Sequence, residues 1–176
     1  RAVRRRRRRG ALRWGGAVGG GGGRGRPGTG NRRGICGGGA DRGRLERLGA
    51  SHDMAGWVRL PGRVSREELR ERYALSDIFV APAPLESFGI AALEARTVGL
   101  PVVGRLGSGV QEFVKDGLNG FLASGEAAMV GCLARLVGDA PLRESMKAYN
   151  RNTPPEQSWG RILDAAEAEY HRAIAV

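Results

Sequence analysis

Cysteine, histidine, aromatic residues and long apolar runs are all scarce in this 176-residue sequence, and each scarcity removes a class of protein. Two cysteines, Cys36 and Cys132, are too few and too far apart for a disulfide framework or a metal site. Cys132 stands in an apolar helical run and reads as a small buried hydrophobe. The two histidines, His52 in a loop and His171 in a terminal helical pattern, have no acid or base placed beside them and read as surface residues. No run of about 18 apolar residues occurs, which excludes a transmembrane helix. Arginines open the chain but no apolar stretch follows them, which argues against a secretory signal and leaves the cytoplasm as the default compartment.

What is abundant is arginine and glycine, and both are unevenly spread. Residues 1–50 hold 15 of the 29 Lys and Arg and two acids, a net of +13, while residues 51–176 hold 14 basic and 16 acidic residues, a net of −2. Seventeen of the 30 glycines also fall within residues 1–50. The formal charge of +11 therefore belongs to the first segment, and the remainder is nearly neutral. Residues 1–40 form a low-complexity Arg/Gly-rich segment that cannot offset its chain entropy by burial and is expected to be disordered. Such an arm can bind nucleic acid or an anionic membrane through phosphate neutralisation. It can equally be a solvated tail or GC-rich DNA translated out of frame. With Trp14 the one aromatic residue in this segment, there is no aromatic interleaving of the kind that binds single strands.

From Asp41 the texture changes to that of a single folded domain, 41–176, and 41 % apolar residues suffice for one core. Arg44, Leu45 and Leu48 belong to a short helical pattern, and Trp57 to Leu60 reads as a strand ended by Pro61-Gly62. Ser65 with Glu68 three residues on has capping-box spacing, and Leu69, Tyr73 and Leu75 give the following helix its apolar side. Asp77 to Ala81 reads as a second strand, apolar throughout after Asp77, as buried parallel strands are. A helix from about Gly89 to Val98 follows, then a strand at Pro101-Val102-Val103. A short helix at Val110 to Val114 and a fourth strand at Gly120 to Leu122 come next. Helices near 126–137, 140–150 and 158–173 close the chain, with Pro154-Pro155 separating the last two. Alternating strands and helices predict right-handed βαβ units: an α/β fold with a Rossmann-like open parallel sheet, flanking helices and ligand loops at the strand C-terminal ends.

The densest chemistry lies between Ala81 and Gly99, where Glu86 and Glu94 are separated by seven residues across a loop-to-helix junction. A helix N-terminus presents unpaired N–H groups and the positive end of a dipole, so the Ser87-Phe88-Gly89 turn is built to hold an anion such as phosphate. One carboxylate before the helix and one on its second turn can then bond the hydroxyls of a sugar or ribose. The bland readings are a solvent-facing Glu94, a Glu86 favoured only by the helix dipole, and a Gly89 needed only for the turn.

From about Gly39 to Tyr170 the chain resembles the C-terminal, donor-binding domain of the family-four glycosyltransferases, which have the GT-B fold. The resemblance rests on Gly62-Arg63-Val64-Ser65, Tyr73 to Asp77, Pro84-Leu85-Glu86-Ser87-Phe88-Gly89-Ile90 and Glu94-Ala95. It continues through Gly99-Leu100-Pro101-Val102-Val103, Gly109-Val110-Gln111-Glu112 and Asp116-Gly117-Leu118-Asn119-Gly120. It implies retaining transfer of a sugar from a UDP- or GDP-sugar to a hydroxyl acceptor, with no metal and no cofactor beyond that substrate. It implies that Glu86 is catalytic, lying against the transferred sugar. Ser87, Phe88, Gly89 and Ile90 would hold sugar hydroxyls and diphosphate, Glu94 the ribose diol, and Arg63 and Val64 would sit beside the base. Trp159 resembles the family's C-terminal helix aromatic, with a packing task.

The resemblance also sets out two departures. The family's N-terminal acceptor-binding domain has no counterpart here, so the chain is expected to be an N-terminally truncated or frame-shifted donor domain, inactive alone, with its acceptor unknown. Upstream of Gly39 no apolar strand and no basic partner for the diphosphate can be assigned, and only Ile35 and Cys36 fit a second strand.

Overall fold

The computed structural model describes residues 15–20, 31–37, 39, 41–54, 58–157 and 159–174. The arginine run at the start, the stretch 21–30, Trp57 and the side chain of Trp159 lie outside the described residues. In chain order the elements are β1 (Gly15–Gly20), β2 (Asn31–Cys36), α1 (Arg42–Ser51), β3 (Val58–Gly62), α2 (Arg66–Ala74), β4 (Ile78–Ala81) and α3 (Ile90–Thr97). They continue with β5 (Val102–Arg105), a 3₁₀ turn (Gly109–Glu112), β6 (Gly120–Ala123), α4 (Glu126–Gly138), α5 (Ala140–Asn152) and α6 (Trp159–Ile174).

The strands form one sheet in the order β3-β2-β1-β4-β5-β6. β2 pairs parallel to β3, and β4, β5 and β6 are parallel in turn. β1 is antiparallel to both β2 and β4, so the other five strands all point the same way. The fold is Rossmann-like, with one reversed strand in an otherwise parallel sheet.

That reversed strand departs from the sequence expectation, as does β2, since both fall in the segment expected to lack regular structure. The reason is that a ladder is made by backbone groups, which glycine supplies as well as any residue. Gly16, Ala17 and Val18 pair with Val80, Phe79 and Ile78, giving β4 a partner on the side away from β5. Ile35 and Cys36, the two residues that fit a second strand, do lie in β2. Pro61 sits inside β3 rather than ending it, which an edge strand tolerates because one side of its ladder is unpaired.

Local chemistry explains most other boundaries. The Ser65 Oγ accepts from the Glu68 N–H at 3.1 Å, and the Glu68 carboxylate accepts from the Ser65 N–H at 2.8 Å, a complete capping box on α2. Asp139 accepts from the Leu142 N–H at 2.9 Å and opens α5, which stops two residues before Pro154. β4 carries buried Ile78, Phe79 and Ala81 and has a core on each face. On one face Phe79, Ala81 and Val102 meet Tyr73 of α2 and Ala92 and Ala95 of α3. On the other, Ile78, Val103 and Phe121 meet Met129 and Leu136 of α4 and Met146 of α5, with half-buried Cys132 against them. The result is a three-layer α/β/α arrangement, with the C-terminal ends of β2 to β6 along a single edge.

Candidate functional site

That edge is where β4 hands over to α3, and the geometry there follows from one glycine. Gly89 has φ 87° and ψ 50°, a left-handed conformation that lets the chain turn from the loop directly into the first residue of α3. A Cβ at this position would stand 2.8 Å from Cγ2 of Val110, which is completely buried. The turn therefore needs glycine for its backbone angle and for its space.

The Gly89 N–H donates to Oε1 of Glu86 at 3.2 Å, which fixes that half-buried carboxylate at the mouth of the helix. The carbonyls of α3 begin with Gly89 O, which accepts from Ala92 and Leu93 at 2.9 and 3.0 Å. Helix geometry leaves the N–H groups of Ile90 and Ala91 without an intrahelical acceptor, and no side chain caps this end. A second loop braces the first: the Gly109 N–H donates to Glu86 O at 2.8 Å. A Cβ on Gly109 would collide with the Ser87 carbonyl and stand 2.6 Å from the Phe88 Cα. Phe88 itself turns inward and packs edge-on against Phe113, with ring centroids 5.7 Å apart.

Of the expected site residues, Glu86, Ser87, Phe88, Gly89 and Ile90 are brought together around this turn. Ser87 and Ile90 are exposed, and Glu94 follows on the second turn of α3, also exposed. Glu94 lies close enough to Tyr73 to act on its hydroxyl. Burial is the main cause that holds the Tyr73 proton on well above the usual phenol range, with Glu94 and then Cys36 adding to it. Burial also pushes the Cys36 thiol up, while Arg72 pulls it back.

Arg63 and Val64 are not part of this cluster. They follow β3, which β2 and β1 separate from β4, three strand spacings of about 4.8 Å or roughly 14 Å along the edge. Arg63 is exposed and Val64 half-buried there, and the Gly37 N–H donates to Gly62 O at 2.9 Å beside them. His52 and His171 are exposed, although His171 has Glu167 at 3.8 Å one helical turn away, a neighbour the sequence reading did not place. Among the described residues no group of three His, Cys, Asp or Glu is placed to hold a metal.

Two contributions to this edge carry no motif. The Tyr73 hydroxyl donates to Ala91 O in the first turn of α3 at 3.3 Å, whereas the sequence gives Tyr73 an apolar helix position and a place in the Tyr73 to Asp77 segment but no site role. Arg42, at the start of α1, brings its guanidinium to 3.0 Å from where a Cβ on Gly62 would stand. This basic side chain lies at the β3 end of the edge, three residues after Gly39, and is paired to Glu46 at 2.8 Å. Nothing in the sequence marked it in advance.

Comparison with known proteins agrees with this geometry. The family described as "Glycosyl transferases group 1" matches residues 32–153. A D-inositol 3-phosphate glycosyltransferase of Geodermatophilus obscurus is 36% identical over 135 residues, 73% of this chain and 28% of the relative. The chain thus spans less than a third of the length of that relative. The pneumococcal O-GlcNAc transferase GtfA, solved with UDP and GlcNAc, superposes with a TM-score of 0.60 at 26% identity, over 68% of this chain and 25% of that one. Anabaena HepE, solved with UDP and glucose, has a TM-score of 0.66 at 16% identity, over 81% of this chain and 40% of that one, a likeness of fold alone. No helix among the described residues is long and apolar enough to cross a membrane. The matched span, the GT-B neighbours and the sheet-edge turn lead to one conclusion: this chain belongs to the group 1 glycosyltransferases.

Proposed function

We propose that this chain binds the nucleotide-sugar donor, a UDP- or GDP-sugar, in a glycosyl transfer to a hydroxyl acceptor with retention at the anomeric carbon. The observation that carries the reading is the uncapped amino end of α3, with the left-handed Gly89 at its mouth and Glu86 held beside it. The N–H groups of Ile90 and Ala91 and the helix dipole suit a diphosphate, and they oppose the charge that builds on it as the sugar departs. Glu86 spends Oε1 on Gly89, which leaves Oε2 to take a sugar hydroxyl and to face positive charge developing at the anomeric carbon. Glu94 lies five residues along the helix from Gly89, a rise of about 7.5 Å, and offers a carboxylate to the ribose diol. Arg63 and Val64, farther along the edge, would flank the base. The likeness to a UDP-bound GtfA supports the donor class.

The test is binding of UDP to the chain by titration calorimetry, with Glu94→Ala and Glu86→Ala beside it. A hydrogen bond to a charged group contributes about 1.5–3 kcal/mol, so Glu94→Ala should weaken UDP at least tenfold. Glu86→Ala should spare UDP, which lacks the transferred sugar, and weaken a UDP-sugar. An unchanged UDP affinity in Glu94→Ala would remove the ribose assignment.

A further inference from the structure

The one buried arginine of the described core lies at the carboxyl end of α3, the helix whose amino end forms the candidate site. Arg96 lies in the last turn of α3 and is 5% exposed, and its hydrogen bonds go to neutral acceptors. Its Nε donates to Oδ1 of Asn150 at 3.2 Å, and its Nη2 donates to the carbonyl of Thr153, also at 3.2 Å. Asn150 then donates to Leu100 O at 2.9 Å and Asn119 O at 3.0 Å, so one buried amide joins α3, α5 and the segments that lead into β5 and β6. Thr153 caps the C-terminal end of α5. The guanidinium therefore sits where two helices present their negative dipole ends, which compensates a charge taken out of water. Burial lowers the Arg96 pKa, while Tyr149 and Glu156 push it back up.

This matters because α3 is eight residues long, two turns, too short to hold its own place. Its amino end is tied by Glu86 and by the Tyr73 hydroxyl, and its carboxyl end by Arg96. We propose that Arg96 is a positioning residue for the donor site: by locking α3 to α5 it keeps the Gly89 turn and Glu94 aimed at the sheet edge. This inference rests on the donor-binding reading.

The experiment compares the full chain with Arg96→Met, Arg96→Lys and Lys147→Met. Three quantities are read: UDP affinity, the melting temperature, and hydrogen exchange at the Ala92 and Leu93 amides, both of which donate to Gly89 O. Lys147, also on α5, pairs through its ammonium with Asp77 at 2.8 Å and Glu144 at 3.5 Å, so its loss destabilises the same end of the domain while leaving the Arg96 bonds in place. Arg96→Met should weaken UDP about tenfold, equivalent to ~1.4 kcal/mol, and speed exchange at Ala92 and Leu93. Arg96→Lys should recover part of both, because an ammonium can keep one of the two bonds. Lys147→Met should lower the melting temperature and leave UDP affinity within about twofold.

The inference is overturned if a folded Arg96→Met, or Arg96→Lys where the former fails to fold, keeps wild-type UDP affinity and wild-type exchange. It is also overturned if Lys147→Met loses UDP as strongly as an equally destabilised Arg96 variant. Should the wild-type chain bind no UDP, the donor reading fails. Exchange at Ala92 and Leu93 then decides alone: faster exchange there than across β4 supports the lock, and unchanged exchange sinks it.

Discussion

Replacing Gly89 with alanine should damage fold and site together, by an amount that can be worked from two observations. The backbone at this residue has φ 87°, and an L side chain in that region costs about 1–2 kcal/mol. The new Cβ would also meet Val110 Cγ2 at 2.8 Å, and Val110 is fully buried with a stiff branched side chain. Forcing an extra methyl into such a place costs about 1–3 kcal/mol. The sum, roughly 2–5 kcal/mol, corresponds to a melting-point loss of about 4–20 °C for a chain of this size. The two parts separate in a cycle with Val110→Ala, which alone removes two methyl groups and costs about 2 kcal/mol. In Gly89→Ala/Val110→Ala the collision is relieved while the φ strain stays. The double variant should therefore be about 1–3 kcal/mol more stable than the two single losses added together. Melting followed by far-UV circular dichroism reads all four proteins. A Gly89→Ala chain that melts like wild type, or a cycle that is additive, would refute the account of why glycine stands here.

Two further outcomes follow from neighbouring residues. Ser65→Ala removes the side-chain half of the capping box on α2 and should cost about 1 kcal/mol, a melting-point fall of roughly 2–4 °C, with Ser65→Asp restoring most of it. Tyr73 has a folded-state pKa raised above its unfolded value of 10.0, so the unfolded chain gives up this proton first. Its contribution is complete below about pH 10 and is lost as pH rises beyond that. Urea midpoints at pH 8 and above pH 10 should differ less for Tyr73→Phe than for wild type; an equal alkaline loss in both would show that another group is responsible.

The parts of this fold that the sequence announced are those where side-chain pattern determines structure. Ser65 and Glu68 fixed the start of α2, the apolar run after Asp77 became a strand buried on both faces, and Pro154 separated α5 from α6. Glu86 and Gly89 announced the geometry of the candidate turn in the same way, because a glycine turn into a helix beside a carboxylate has a local meaning. β1 had no such signal. Four of its six residues are glycine and only Val18 is β-branched, so no strand pattern marks it, and its place follows from the backbone groups of β4 that it satisfies. Its direction was illegible for the same reason.

What the sequence could not announce is why a two-turn helix should hold a site at all. The ties that place α3 come from Tyr73, 18 residues before Ala91, and from Asn150 and Thr153, 54 and 57 residues after Arg96. None of these has a spacing rule, since long-range contacts depend on topology rather than on period. Motif and support therefore obey different constraints. The turn from Glu86 to Gly89 must keep its residue types to present amides and a carboxylate, whereas any residue able to bridge α3 and α5 could do the work of Arg96. A change behind the helix should then alter affinity without altering which ligand is chosen, while a change at the turn should alter both. Parallel titrations of UDP and GDP against Arg96→Met and Glu94→Ala would expose that difference, and a shift in the UDP-to-GDP preference of Arg96→Met would contradict it.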